Sequence, residues 1–269
     1  MDPRELIKAG RLVDARAELL EQVRANPSDT RPRTVFFQLL AYLGEWQKSL
    51  QHLEVISALN PLGEATTQVY KSLIAAERER IEVLSWRTSP SFLSQTPPYL
   101  TAWIQMGQSI SLGKSAEAAC SLEDIVSHLP LVSGQLNGIE FTGFQDADPF
   151  LSPFLELFVH DRYVLAPVDS LREISISPPK TLLDLLWAPA RLMTWEGLAT
   201  NCYLPVLYPG TALSLNDQVR LGNVTEWDDM GDDIFRGVGQ HVFVVGEEEK
   251  GLLELQDITL NAPNMVVNQ

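Results

Sequence analysis

The chain has 269 residues, of which 45% are hydrophobic and 20% are charged, which excludes a disordered chain, a collagen-like chain and a disulfide scaffold. Its formal net charge of −15 disfavours nucleic acid and an anionic membrane surface as main partners. Two cysteines far apart in sequence, Cys120 and Cys202, predict buried reduced thiols rather than a disulfide. No apolar segment resembles a signal peptide or a membrane span, so we expect a cytoplasmic protein.

The first half predicts paired helices, because one spacing recurs three times. Three glycines, Gly10, Gly44 and Gly113, are each followed 17 residues later by a proline, and the first two units lie 34 residues apart. A glycine permits a tight turn between antiparallel helices, and a proline ends the second helix. Each unit also has a small residue five positions after its glycine and a leucine nine positions after it; these are Ala15, Ser49, Ala118, Leu19, Leu53 and Leu122. A 34-residue period of paired helices resembles the tetratricopeptide repeat.

Such an array presents a concave surface that binds a peptide or a helix. On the repeat template, the side chains that project into it are Arg31, Thr34, Gln38, Ala41 and Tyr42. Solvated surface without a binding role is the alternative interpretation of the same side chains. Helical periodicity continues to about residue 129, including a longer helix after Pro61. The proline-rich stretch 87–98 predicts a loop.

The second half differs in both charge and pattern. Residues 1–130 hold 13 basic and 15 acidic side chains, a net charge of −2, whereas residues 131–269 hold 7 and 20, a net charge of −13. Alternating runs predict strands at 172–177, within 240–245 and within 252–260. Apolar spacing predicts one helix through Phe150, Leu151, Phe154, Leu155 and Phe158, and another through Leu182, Leu183, Leu185 and Leu186. We therefore predict a multidomain chain, with tetratricopeptide-like helical repeats in residues 1–132 and an acidic mixed α+β domain in residues 133–269.

The residues that could carry chemistry do not form a recognised catalytic pattern. No phosphate-binding loop, nucleophile elbow, zinc-protease helix or CxxC pair is present, and we expect no cofactor, no metal and no enzymatic activity. Asp146 and Asp148 could act as general acid and base, but capping of a following helix is the favoured interpretation. A thiolate pair of Cys202 with His241 is the weakest alternative. The acidic stretch 226–233 could hold a cation, although a solvated loop is the favoured interpretation.

An ordered set of short runs in the second half resembles the ImpE family, also called SciE or TagJ, of type VI secretion accessory proteins. The runs lie at 146–153, 162–167, 183–191, 204–210, 225–227 and 237–240. Helix pairs ending in Asn-Pro, at Asn26-Pro27 and Asn60-Pro61, also match this family. The resemblance covers nearly the whole chain.

The resemblance implies a cytoplasmic adaptor rather than an enzyme. Its implied partners are the small subunit of the contractile sheath, bound through a helix, and the AAA+ ATPase that disassembles contracted sheath. An assembly chaperone for an unassembled secretion component or effector is the alternative function. An enzyme that uses Asp146, Asp148 or Cys202 is the third hypothesis. The excess of carboxylates predicts a basic surface on the partner.

Overall fold

The fold of residues 2–262, described by a computed structural model, combines helices in the first half of the chain with strands in the second. Seven helices precede residue 129 in this part of the chain: α1 (Pro3–Lys8), α2 (Leu12–Ala25), α3 (Thr30–Tyr42), α4 (Trp46–Leu59), α5 (Glu64–Leu84), α6 (Leu100–Ser111) and α7 (Ser115–His128). A short helix, α8 (Asp217–Arg220), follows among the strands. None of the described helices combines the length and apolar character needed to cross a bilayer.

Tight turns at the predicted glycines join α1 to α2, α3 to α4 and α6 to α7. Gly10, Gly44 and Gly113 all have a positive φ, between 67° and 69°. The small side chains predicted between the paired helices are completely buried, and the Ser49 hydroxyl donates to the carbonyl of Phe37 at 2.9 Å. The glycines thus lie at helix turns, whereas assignment to the tetratricopeptide class stays a prediction.

Strands occupy most of the described residues after 132, and one two-residue strand lies before them. The strands are β1 (Ser91–Phe92), β2 (Ser133–Leu136), β3 (Ile139–Thr142), β4 (Phe144–Asp146), β5 (Phe154–Val159), β6 (Arg162–Pro167), β7 (Leu171–Ile176), β8 (Trp187–Thr194), β9 (Ala199–Pro205), β10 (Glu226–Gly231), β11 (Ile234–Val238), β12 (Val242–Val245), β13 (Glu248–Gly251) and β14 (Asp257–Leu260). Nine of these described strands form one sheet in the order β1-β6-β5-β9-β8-β7-β14-β2-β3. Strands β13, β12 and β4 form a second sheet, and β10 pairs with β11 as a separate hairpin. The mixture of helices and antiparallel strands agrees with the predicted α+β class.

Both helices predicted in the second half are wrong. Residues 154–159 form β5, whose side chains are buried up to Phe158 on both faces of the strand. A short apolar run of this kind fits a doubly buried strand as well as a helix, so its periodicity is ambiguous. The run at Leu182–Leu185 forms a single 3₁₀ turn, which Thr181 and Asp184 cap reciprocally, and β8 then begins at Trp187.

Three smaller predictions also need correction. The predicted loop 87–98 contributes β1, which pairs in parallel with β6. The acidic stretch is the hairpin β10–β11 rather than a loop. Cys202 is buried as predicted, but Cys120 is exposed; both thiols are free.

The hydrophobic core joins the two segments of the chain. Its main cluster runs from Phe37 in α3 to Leu260 in β14, and a smaller cluster holds α1, α2 and one side of α3. Helix α5 packs against β5 and β6, so the helical segment covers the sheet. This contact creates the site described next, between residues that are far apart in sequence.

Candidate functional site

A buried ionic cluster joins α5 to the sheet. Arg80 on α5 donates from Nε to Oε1 of Glu156 at 2.8 Å and from Nη2 to Oε2 at 2.6 Å. Nη2 also lies 3.0 Å from the carbonyl oxygen of Leu207. Both charged residues are at most 5% exposed, so the pair is shielded from water. The bidentate geometry gives a guanidinium–carboxylate pair its greatest strength.

His241 extends this cluster toward a second carboxylate. Its Nδ1 lies 2.7 Å from Oδ2 of Asp146, and its Nε2 lies 3.1 Å from Oε2 of Glu156. The Tyr208 hydroxyl donates to Oδ1 of Asp146 at 2.6 Å. Two carboxylates can accept from one imidazole only when both ring nitrogens carry hydrogen. The arrangement therefore holds His241 as an imidazolium.

The pKa values follow from burial and from these partners. Burial alone would lower the pKa of His241, but Asp146 and Glu156 outweigh burial and raise it to about 9. Burial alone would raise the pKa of Glu156, but Arg80 and His241 hold it well below its usual range. For Glu77, burial outweighs the opposing Arg80 charge and the hydrogen bond from Trp187 Nε1, so its pKa is raised. These directions describe a structural cluster whose charges compensate one another.

The residues considered for catalysis are engaged in structural contacts. The prediction that Asp146 and Asp148 cap a helix is wrong, because no helix follows them. Each instead accepts a backbone N–H two residues later, within the turn that leads to β5. Asp148 also accepts from Nε of Arg236 at 2.8 Å. Burial raises the pKa of the Cys202 thiol to about 12, and its Sγ contacts the carbonyl of Ala190 rather than His241. Among residues 2–262, no group of three or more His, Cys, Asp and Glu side chains is arranged to hold a metal ion.

An apolar cleft of about 520 Å³ opens beside the ionic cluster, between the helices and the strands. Arg80 and Tyr208 form part of its wall. Its apolar and aromatic lining includes Tyr42, Trp46, Ile81, Leu84, Trp86, Phe150, Leu186, Leu207 and Leu213. Ile81 is 43% exposed and Leu213 is 83% exposed. Exposed apolar side chains that line one concavity are typical of a site that binds a ligand or a protein.

Trp86 in this cleft occupies a backbone position that glycine holds elsewhere in the chain. It follows the C-cap of α5 with φ = 61°, and its N–H donates to the carbonyl of Val83, while the N–H of Arg87 donates to that of Glu82. These two bonds form the Schellman motif that Gly10, Gly44 and Gly113 form at other helix ends. A left-handed backbone costs a residue with a Cβ about 1 kcal/mol. The protein therefore holds an indole here at a conformational cost.

A second residue accommodates this indole. A Cβ on Gly107, inside α6, would lie only 1.8 Å from Cζ2 of Trp86. Glycine inside a helix costs about 1 kcal/mol relative to alanine. The Trp86 ring packs edge-on against Trp103 and Phe150, with ring centroids 5.2 and 5.6 Å apart. Two locally unfavourable residues thus cooperate to place the half-buried indole on the cleft wall.

The acidic hairpin β10–β11 adjoins the cleft. Arg236 on β11 lines the cleft, and its guanidinium lies 4.5 Å from the centre of the Phe150 ring. Asp228 lies opposite Arg236 in the hairpin register. Trp227 packs against Tyr208, with ring centroids 5.8 Å apart. The hairpin therefore borders the cleft.

The binding residues predicted on α3 are only partly grouped at this site. Tyr42 and Ala41 line the cleft, but Tyr42 is 2% exposed and donates its hydroxyl to the carbonyl of Leu182. Arg31 lies at the exposed start of α3, where it pairs with Asp29. Thr34 donates to the carbonyl of Thr30, and Gln38 is half-buried. Nothing here tests a binding role for Arg31, Thr34, Gln38 or Tyr42, which stays a prediction.

Sequence reasoning missed the ionic cluster, although two signals point to it. Glu77 and Arg80 lie on the helical stripe between Leu73 and Leu84, where the α5 periodicity predicts burial. Glu156 interrupts an apolar run. A charged residue at a position predicted to be buried implies a partner of opposite charge.

Two comparisons with known proteins point to one family, and a third shows the fold. The sequence model described as ImpE protein matches residues 138–259. The type VI secretion system accessory component TagJ of Pseudomonas aeruginosa is 35% identical over 254 residues, which are 94% of this chain and 89% of that protein. The X-ray structure of a Vibrio parahaemolyticus protein matches with a TM-score of 0.86 and 20% identity, and covers 96% of this chain and 97% of that one. At that identity the structural likeness shows the fold.

Proposed function

Because the chain belongs to the ImpE family of type VI secretion accessory components, we propose that it is a non-enzymatic cytoplasmic adaptor that binds the small subunit of the contractile sheath. The observation that carries this proposal is the 35% identity to an accessory component along 94% of the chain. The apolar cleft supports it, because an amphipathic helix of a partner binds by placing apolar side chains in such a groove. A link to the AAA+ ATPase that disassembles contracted sheath belongs to the same proposal.

The state of the candidate catalytic groups supports an adaptor over an enzyme. Asp146 and Asp148 are buried and satisfied by a histidine, a tyrosine, an arginine and backbone amides. The raised pKa of Cys202 disfavours the thiolate that nucleophilic catalysis needs. These groups hold the fold together around the turn that leads to β5.

A binding titration of the full-length protein tests the proposal. The probe is the purified small sheath subunit of the same type VI system, and the large sheath subunit alone is the control. Micromolar or tighter binding to the small subunit is expected, and no binding between two folded proteins would overturn the proposal.

The same assay separates the adaptor from the assembly chaperone. An adaptor binds assembled sheath as well as the free small subunit, whereas a chaperone binds only the free subunit. Retention of the AAA+ ATPase on sheath only in the presence of this protein would support the proposed link between them.

A further inference from the structure

We propose that the apolar cleft and the acidic hairpin β10–β11 form one docking surface for an amphipathic helix with a Lys- or Arg-rich flank. The apolar side of the helix enters the cleft, and its basic flank lies along the hairpin. This inference rests on the proposed function, since it assigns the surface and the chemistry through which the sheath subunit binds.

The cleft supplies the apolar half of this surface. Trp86, Ile81 and Leu213 line it, and the latter two are exposed to 43% and 83%. Trp86 keeps an indole at a helix end that favours glycine, and Gly107 lies directly beneath that indole. Large rigid aromatic side chains are the usual anchors of protein interfaces. A strained residue that the surroundings hold in place points to a functional position.

The hairpin supplies the charged half. It carries Glu226, Asp228, Asp229, Asp232 and Asp233 within eight residues. None of these carboxylates forms a salt bridge within residues 2–262, whereas the nearby Arg236 is already paired with Asp148. The hairpin runs from the cleft wall at Arg236 to the start of α7, where Gly231 lies against Ser115. A partner with a basic flank would compensate these charges.

Charge favours such a helix over a second copy of this chain. Each copy has a net charge of −15, so two hairpins would repel each other across a shared cleft. A helix with an apolar face and a basic flank complements both halves of the surface. Its affinity is expected to fall as the salt concentration rises, because the hairpin charges are solvent-exposed.

The test measures binding of the full-length protein to the purified small sheath subunit. Ile81→Glu and Leu213→Glu place a charge in the cleft at exposed positions. Trp86→Gly removes the indole while leaving a residue suited to its backbone. The matched control is Val13→Glu, on α2 outside the cleft lining, where Val13 is 73% exposed. Circular dichroism and the unfolding midpoint verify the fold of every variant.

Each cleft variant is expected to raise the dissociation constant at least about tenfold, as loss of an interface anchor does, whereas Val13→Glu leaves it within about twofold. The double substitution Asp228→Lys with Asp229→Lys reverses the charge of the hairpin. We expect it to raise the dissociation constant about fivefold at low salt and by a smaller factor at high salt. The control for charge is Glu247→Lys with Glu249→Lys, two exposed side chains near β13, away from the cleft.

The outcomes separate the two proposals. If the wild-type protein and all three cleft variants bind the small sheath subunit equally well, the proposed docking surface is wrong but the adaptor function is not contradicted. Cleft-dependent binding that hairpin reversal leaves unchanged would overturn the charged half. If the wild-type protein self-associates and the cleft variants do not, the occupant of the cleft is a second copy of this chain and the proposal is wrong. No binding by the wild-type protein would overturn both proposals.

Discussion

The carboxylate of Glu156 makes short contacts with three side chains: Arg80, the Tyr163 hydroxyl and His241. Glu156→Gln removes the negative charge and leaves Arg80 without its bidentate partner in a buried site. Loss of one member of a buried ion pair costs about 3–5 kcal/mol of unfolding free energy. Urea denaturation of the two proteins measures this loss.

Glu82→Gln on α5 is the matched control for Glu156→Gln. The ion pair of Glu82 with Arg87 is exposed, with side-chain exposures of 43% and 65%. Such a pair contributes about 1 kcal/mol or less. Equal losses in the two variants would contradict the structural role of the buried cluster.

His241 gives the cluster a dependence on pH with a definite sign. Its pKa is about 9 in the folded protein against 6.5 for an ordinary histidine, so protonated His241 stabilises the fold. This contribution is complete below about pH 6.5 and is lost as the pH rises through about 9. The rise from 6.5 to about 9 corresponds to roughly 3 kcal/mol, since each pKa unit is worth 1.36 kcal/mol.

His241→Gln is expected to remove that part of the pH dependence. Urea unfolding of both proteins at several pH values between 6 and about 10 measures it. Glu156 contributes with the opposite sign, because its lowered pKa stabilises the fold above its ordinary pKa and the benefit is lost in acid. An equal decline of the wild-type and variant proteins across the alkaline range would contradict the imidazolium assignment.

At the scale of elements, the turn that ends α5 depends on the packing of the Trp86 ring against Gly107 in α6. Gly107→Ala adds a methyl group that overlaps the Trp86 ring and approaches Phe150. We expect it to destabilise the protein, although alanine inside a helix is normally favoured by about 1 kcal/mol over glycine. In a Trp86→Gly background the main overlap is absent, so the same change costs less.

A double-mutant cycle over Gly107→Ala and Trp86→Gly measures this coupling. Thermal unfolding of the four proteins gives the four stabilities. Additive effects of the two substitutions would show that α6 does not hold the indole in place.

The helix ends show how far local sequence predicts this fold. Gly10, Gly44 and Gly113 predict their turns correctly, because the left-handed backbone there is a property of the residue itself. Trp86 forms the same turn without that signal, since packing against α6 and Phe150 stabilises it. The Phe154–Val159 strand escapes prediction for the same reason, because its second buried face is provided by elements distant in sequence.

The candidate site escapes prediction for a related reason. Arg80 and Glu156 are 76 residues apart in sequence. The helical pattern around Arg80 and the apolar run around Glu156 each predict a buried charge, but neither identifies which residue is its partner. The predicted surface on α3 assumes that the helices stand free, whereas Tyr42 packs against the segment that follows β7. Sequence thus predicts the local turns and the family resemblance, but not the contact between the helices and the sheet on which the cleft depends.

At the scale of the whole molecule, the segments 1–132 and 133–269 share buried contacts. The main core cluster includes residues of both, and its boundary with the smaller cluster lies within α3 rather than near residue 132. Trp103 on α6 donates to the carbonyl of Phe150, and Trp187 on β8 donates to Glu77 on α5. Removal of either segment would expose these buried groups. We therefore predict that the change in composition near residue 132 does not separate two independently folding domains.

We expect the full chain to unfold in one cooperative transition that includes α3 to α7 and the large sheet. Ile258→Ala provides the test, because it removes a buried side chain from β14, which pairs with β2 and β7, while far-UV circular dichroism follows mainly the helices. In a single cooperative unit, the helical signal and tryptophan fluorescence shift to lower urea by the same amount. A helical midpoint that stays in place while fluorescence shifts would show two independent domains. The cleft would then lie between bodies free to move apart, and its docking surface would depend on their association rather than on one shared core.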